Sequence, residues 1–155
     1  MDVLKGVVLY DTTYGNTQRV AEAIADALSE RGHEVGLYHI KEAGRLSAEG
    51  YDFVVIGSPT KMNTMGFAMR RFLGKFKDEG WRGKPFFAFD TELVDVIEKG
   101  GASAGEKIQK ELEERGMKPL VPVLKAAVGG IKGPLVSTVI DNARKHAWDF
   151  AAKLR

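Results

Sequence analysis

The feature that most constrains this chain lies at its start. Leu4–Tyr10 is an apolar run rich in Val and Leu, and it breaks into Asp11-Thr12-Thr13-Tyr14-Gly15-Asn16-Thr17. A helical pattern begins at once, about Thr17–Arg31, and Gly32 stops it. The order strand, hydroxyl-rich turn, helix puts the turn where a helix presents its unpaired N–H groups and the positive end of its dipole. That is a ready anion site. The threonine hydroxyls at 12, 13 and 17, with the small Gly15 between them, point to a phosphate. Capping of the first helix by Thr12 and Thr17 is the plainer reading, but one hydroxyl would suffice for it.

The rest of the chain repeats the alternation. A second strand is expected at about Glu34–Ile40, followed by a weakly periodic segment, Lys41–Ser47. The third strand, Phe53–Gly57, is apolar without alternation, as a strand covered on both faces is. A helix follows at about Gly66–Phe76, with Met69, Phe72, Leu73 and Phe76 as its inward stripe. The fourth strand is Pro85–Phe89. Ser103-Ala104-Gly105-Glu106 has capping-box spacing and opens a helix that Gly116 closes. The fifth strand is about Pro119–Val128, with Pro122 favouring an edge position. The last helix is about Leu135–Leu154, with Val136, Val139, Ile140, Ala143, Ala147, Phe150, Ala151 and Leu154 on its core face. Five strands alternating with roughly five helices predict an α/β fold, a three-layer α/β/α sandwich on a parallel sheet. Ligands of such sheets bind at the carboxyl ends of the strands. The turns at Asp11–Thr17, Ser58–Gly66 and Asp90–Ser103 all leave strands at that edge.

The chain has 155 residues, the size of one domain, and a single domain over 1–155 is expected. Its net charge of +2 is too small to imply nucleic acid. No apolar run approaches the roughly 20 residues a membrane helix needs. Met1-Asp2-Val3-Leu4-Lys5 has no basic stretch followed by a long apolar one, so no signal peptide is expected and the reading is cytoplasmic. Cysteine is absent, which excludes disulfides and thiolate chemistry. His33, His39 and His146 lie apart, with neither triad nor metal-ligand spacing, so no catalytic residue and no metal ligand is expected. Trp81 and Trp148 read as packing residues.

Two loops together carry a family resemblance. Thr12-Thr13-Tyr14-Gly15-Asn16-Thr17 is similar to the phosphate loop of the flavodoxin family, and Gly57-Ser58-Pro59-Thr60 resembles the loop that lies against the flavin ring there. The resemblance covers the whole chain and is to the short-chain form, without an insertion splitting strand five. It implies a five-stranded parallel sheet in the order 2-1-3-4-5 and FMN as cofactor. The residues it assigns to FMN are Thr12, Thr13, Tyr14, Gly15, Asn16 and Thr17 for the phosphate, and Ser58, Pro59, Thr60, Lys61, Met62 and Asn63 beside the ring. Asp90 and Thr91 open the third loop. That loop, Asp90–Ala102, departs from the family pattern: it holds no aromatic to stack on the ring and carries four acidic groups, Asp90, Glu92, Asp95 and Glu98.

The resemblance implies a one-electron carrier between redox partner proteins, not identified by the sequence. Two alternatives stay open. One is an FMN-dependent NAD(P)H oxidoreductase acting on a quinone-type acceptor. The other is a flavin-free module that uses the first loop for another phosphate ligand. The sequence leaves the oligomeric state open. Family carriers are usually acidic, whereas this chain is nearly neutral and has Lys61 in the ring-side loop, so Lys61 is expected to raise the flavin's potential.

Overall fold

The computed structural model describes residues 2–44 and 46–154. Its central sheet is built from β1 (Lys5–Tyr10), β2 (Glu34–His39), β3 (Phe53–Lys61), β5 (Pro85–Leu93), and a broken edge formed by β6 (Lys118–Pro119) and β7 (Leu124–Val128). All of these pair in parallel, with β1 between β2 and β3, and β5 between β3 and the edge. In terms of the five expected strands this is the order 2-1-3-4-5. A short strand β4 (Thr64–Met65) folds back antiparallel on the end of β3, pairing Thr60 with Met65 and Lys61 with Thr64.

The parallel strands are covered on both faces, which is why they read as continuous apolar runs. Successive residues turn to opposite layers. Val8 and Tyr10 of β1, Phe53 and Val55 of β3, and Phe87 and Phe89 of β5 join one core with α1 (Asn16–Glu30) and α5 (Val139–Lys153). Val7 and Leu9, Val54 and Ile56, and Phe86 and Ala88 join the other, with α2 (Phe67–Lys75) and α4 (Ala104–Glu114). The expected apolar face of α1 is wholly buried: Val20, Ala21, Ile24, Ala27 and Leu28 are closed to solvent.

Several expectations need correction. The fifth strand, expected as one piece over Pro119–Val128, is two. Pro122 has no N–H to give the ladder, and the chain leaves β5 between Pro119 and Leu124 before rejoining it. The last helix begins at Val139 rather than Leu135. Leu135 makes an antiparallel bridge to Val128, and Val136 donates to the Ala127 carbonyl at 2.9 Å, so this stretch is committed to a turn closed by Gly129 and Pro134. The weakly periodic Lys41–Ser47 forms no helix among its described residues; it turns at Ile40–Glu42, and a 3₁₀ turn at Ala48–Gly50 leads into β3. Arg45, within that segment, lies outside the described residues. The third turn starts later than Asp90. β3 and β7 both offer registered partners (Ser58 and Lys125 to Asp90, Val128 to Leu93), so β5 runs on to Leu93. A short helix, α3 (Val94–Lys99), follows.

Candidate functional site

At the carboxyl edge of β1, β3 and β5 lies a cleft of about 320 Å³. One wall is the turn before α1. Gly15 stands at the N-cap of α1 with φ 89°, a left-handed conformation that glycine adopts without strain, and no side chain caps the helix. The Thr12 hydroxyl instead accepts from the Gly15 N–H at 3.0 Å, closing the turn. Arg19 is the first residue of the helix whose N–H finds a backbone acceptor, the Gly15 carbonyl at 3.1 Å. The N–H groups of Thr13, Tyr14, Asn16, Thr17 and Gln18 have no acceptor among the described residues. Such a cluster of orphan donors at a helix N-terminus fits a phosphate dianion without any Lys or Arg. Capping by Thr12 and Thr17 is thereby set aside: the Thr17 hydroxyl is 2.8 Å from the Thr91 hydroxyl, tying α1 to β5.

The opposite wall is the end of β3 and the hairpin to β4. Pro59, Thr60, Lys61 and Met62 line the cleft. Met62 and Asn63 turn the hairpin with φ of 52° and 66°, and Met62 is 96% exposed. The Thr60 hydroxyl accepts from the Ala104 N–H at 3.0 Å, fixing the wall to the start of α4. Leu93, Val128 and Ile131 complete an apolar lining in which a flat ring system fits.

The structure brings together Thr12, Thr13, Tyr14, Asn16, Thr17, Pro59, Thr60, Lys61, Met62 and Thr91 around this cleft. Gly15 shapes the turn without lining it. Ser58 is buried, its hydroxyl donating to the Pro59 carbonyl. Asn63 turns away from the cleft, its amide oxygen beside Gly101. Asp90 lies beneath α4, where its Oδ2 accepts from the Gly105 N–H at 2.8 Å. Leu93, Val128 and Ile131 line the cleft without having been singled out as ligand residues. Ile131 had a signal: a lone large apolar residue between glycine-rich stretches (Gly129-Gly130 and Gly133) sits on a turn, not in a core.

The acidic third segment is divided: Asp95 and Glu98 are exposed, whereas its first two carboxyls are buried. Asp90 and Glu92 sit two apart on β5, at 0% and 1% exposure. Asp90 Oδ1 and both Glu92 carboxyl oxygens have no hydrogen-bond partner among the described residues. Burial first, then the adjoining Asp90 carboxyl, push Glu92 up to about 8. Burial raises Asp90 as well, against the neighbouring Glu92 carboxyl and Ser103 hydroxyl first, then the Gly105 N–H and Lys125, which pull it down. Both shifts favour a proton held by the pair at neutral pH, at the border of the cleft that Glu92 lines. Lys125 is taken up by Glu106, at 2.6 Å.

A larger groove, about 920 Å³, lies between α2 and the β2–β3 connection. Its polar groups are Lys41, Arg71, Lys75, Lys77 and Asp78, and it lacks the convergent N–H donors of the first cleft.

The model of the flavodoxin domain matches residues 7–133. A flavodoxin of Aquifex aeolicus is 38% identical over 108 residues, which is 67% of this chain and 55% of that protein. An NAD(P)H dehydrogenase (quinone) of Rhizobium meliloti is 30% identical over 89 residues, 44% of this chain and 42% of that protein. The chain thus spans about half the length of these two relatives. Oxidised flavodoxin 1 of Bacillus cereus superposes with a TM-score of 0.81 over 97% of this chain and 99% of that one, at 20% identity, a likeness of fold. With the family model spanning most of the sheet and all three loops at its carboxyl edge, this chain belongs to the flavodoxin domain family.

Proposed function

We propose that the chain binds FMN in the 320 Å³ cleft and carries electrons between redox partner proteins. The observation that supports it is the set of orphan N–H groups of Thr13, Tyr14, Asn16, Thr17 and Gln18 at the start of α1, where the phosphate of a flavin nucleotide would lie, in a cleft also lined by apolar Met62, Leu93, Val128 and Ile131. FMN, when bound, supplies the one-electron redox chemistry. The chain's own residues do the rest. Thr12 closes the phosphate turn, and Thr17 with Thr91 locks the helix to the sheet. Pro59, Thr60 and the hairpin fix the ring-side wall. Leu93, Val128 and Ile131 would give a bound ring its apolar lining in a site whose third loop has no aromatic. The raised Glu92 carboxyl, coupled to Asp90, favours a protonated pair beside the cleft at neutral pH.

A second reading is an FMN-dependent NAD(P)H oxidoreductase, favoured by the stretch shared with the quinone dehydrogenase. The cytoplasm is the proposed location, and no helix of the described residues is long and apolar enough to cross a membrane.

Absorbance of the purified protein titrated with FMN tests the proposal. Uptake at one flavin per chain is expected. A protein that takes up none is a flavin-free binding module. Bleaching of bound flavin by NADPH alone, at a rate matching turnover with a quinone, would move the assignment to the oxidoreductase.

A further inference from the structure

The exposed apolar side chains of this protein are gathered. Of the six large ones among the described residues, Tyr14, Met62 and Ile131 line the cleft mouth, and Phe67, 75% exposed, follows the hairpin at the start of α2. The charge beside them has one sign. Residues 61–77 contain Lys61, Arg70, Arg71, Lys75 and Lys77, and no Asp or Glu. Among the described residues none of these five cations, nor Lys132 across the cleft, forms an ion pair with a carboxylate. Two of the cations cover exposed rings: the Arg71 guanidinium is 5.7 Å from the centre of Phe67, and the Lys132 ammonium 5.9 Å from that of Tyr14. The strip leads from the cleft mouth to the 920 Å³ groove, where Arg71, Lys75 and Lys77 stand with Phe72, Phe76 and Trp81; the one carboxylate lining it, Asp78, is occupied by the Ala48 and Gly80 N–H groups.

We infer that this strip docks an acidic partner protein through an amphipathic helix, laid along α2 with its apolar face in the groove and its carboxylates toward Lys41, Arg71, Lys75 and Lys77. The inference rests on the electron-carrier reading and adds the partner's chemistry to it. Cations lining an apolar groove match the helix-in-groove mode of recognition, in which apolar anchors set the fit and complementary charge sets encounter and orientation. Nucleic acid fits the strip less well: phosphates would meet the cations but nothing would cover Met62 or Phe67, and the chain as a whole is only +2. A membrane fits less well too. Met69 and Leu73 of α2 turn into the core, and Phe72 and Phe76 stand recessed in the groove, so Phe67 is the one large side chain of this segment after the hairpin that protrudes among the described residues.

The test is fluorescence anisotropy of a labelled synthetic helix with Glu on one face and Leu on the other, titrated with the full chain. Parallel arms use the same helix with Lys in place of Glu, oligothymidylate, and vesicles of mixed phosphatidylcholine and phosphatidylglycerol. The Glu helix should bind, and its affinity should fall about tenfold in Arg71→Glu/Lys75→Glu and about tenfold between low and physiological salt. Phe67→Ser should weaken it at both salt concentrations. FMN uptake, measured on the same samples, should be unchanged, since none of these residues lines the cleft. Equal binding of the Glu and Lys helices, an unchanged affinity in the charge-reversed variant, or tighter binding of oligothymidylate or vesicles would overturn the inference. Binding of the Glu helix as expected, in a protein that takes up no FMN, would sustain the docking surface while removing the electron-carrier reading.

Discussion

Phe89 lays its ring over Gly57, the residue registered with it between β5 and β3. A Cβ built on Gly57 would stand 2.2 Å from the Phe89 ring. The same device recurs one strand over, where Phe53 covers its registered partner Gly6. Both phenylalanines are closed to solvent and belong to the core shared with α1 and α5. The arrangement matters at Gly57 because the next residues, Ser58 and Pro59, lead into the ring-side wall of the cleft.

Gly57→Ala should therefore destabilise the fold by about 1–3 kcal/mol, the range for overpacking a close-packed core. Phe89 is closed to solvent, and β3 is paired on both sides. Gly57→Ala/Phe89→Leu should recover part of the loss, because the two positions share one volume. Urea denaturation of the three variants measures this. Additive losses would show that the ring and the glycine do not compete for the same space.

The Thr17 and Thr91 hydroxyls meet at 2.8 Å, with Thr17 1% and Thr91 5% exposed. Thr91→Val keeps the shape and leaves the Thr17 hydroxyl buried without its partner. The cost should be about 1–3 kcal/mol, the desolvation penalty of an orphaned buried group. Thr17→Val/Thr91→Val should cost less than the sum of the singles. FMN affinity should fall in both single variants, since the bond holds the phosphate turn to the sheet. A double-mutant cycle with no coupling energy would show that the two hydroxyls do not depend on each other.

Glu92 makes stability fall with rising pH. Its carboxyl is raised to about 8 in the folded chain, well above an ordinary carboxyl, so the native state holds a proton that the unfolded chain has released over most of that interval. The contribution is fully present in acid, below the ordinary carboxyl range, and is lost as pH climbs through about 8. The slope is at most about 1.4 kcal/mol per pH unit from this one group. The charges facing it are Asp90 on its own strand, Glu106 on α4 and Lys125 on β7. Urea midpoints taken between pH 5 and pH 9 should decline in the wild type and lie flatter in Glu92→Gln. Carbon-13 NMR of the Glu92 carboxyl should place its titration near 8; a titration in the ordinary range would show that the buried pair holds no proton.

What the sequence conveyed well, it conveyed through period. Val7, Leu9, Val54 and Ile56 on one side and Val8, Tyr10, Phe53 and Val55 on the other came from apolar runs whose type follows from being covered twice. The hydroxyl turn before α1 was legible because a helix N-terminus has a fixed electrostatic sense. Edges were harder to read. The break at Pro122 and the late start of α5 depend on a bridge between Leu135 and Val128 that no local pattern encodes. Asp90 and Glu92 read as part of an acidic loop, because the apolar run of the fourth strand ends at Phe89. Their burial follows from β7, a strand more than thirty residues later, extending the ladder to Leu93. Ile131 reaches the cleft from that same late edge.

Lys61 is the one Lys or Arg lining the cleft among the described residues, on the exposed last position of β3 and in no ion pair with a carboxylate among them. A unit charge about 7 Å from the ring stabilises an added electron by roughly 0.6 kcal/mol in water and 2.4 kcal/mol at an effective dielectric of 20. For one electron that is on the order of 25 to 100 mV. Because Lys61 is solvent-exposed, the lower half of that range is expected. Lys61→Ala should thus lower the midpoint potential of bound FMN, and added salt should narrow the gap between variant and wild type. Lys61→Arg, which keeps the charge, should restore the potential; Lys61→Met, which keeps only the stem, should not. Spectroelectrochemical titration of the four proteins at two ionic strengths decides the matter, and equal potentials throughout would show that Lys61 does not tune the flavin.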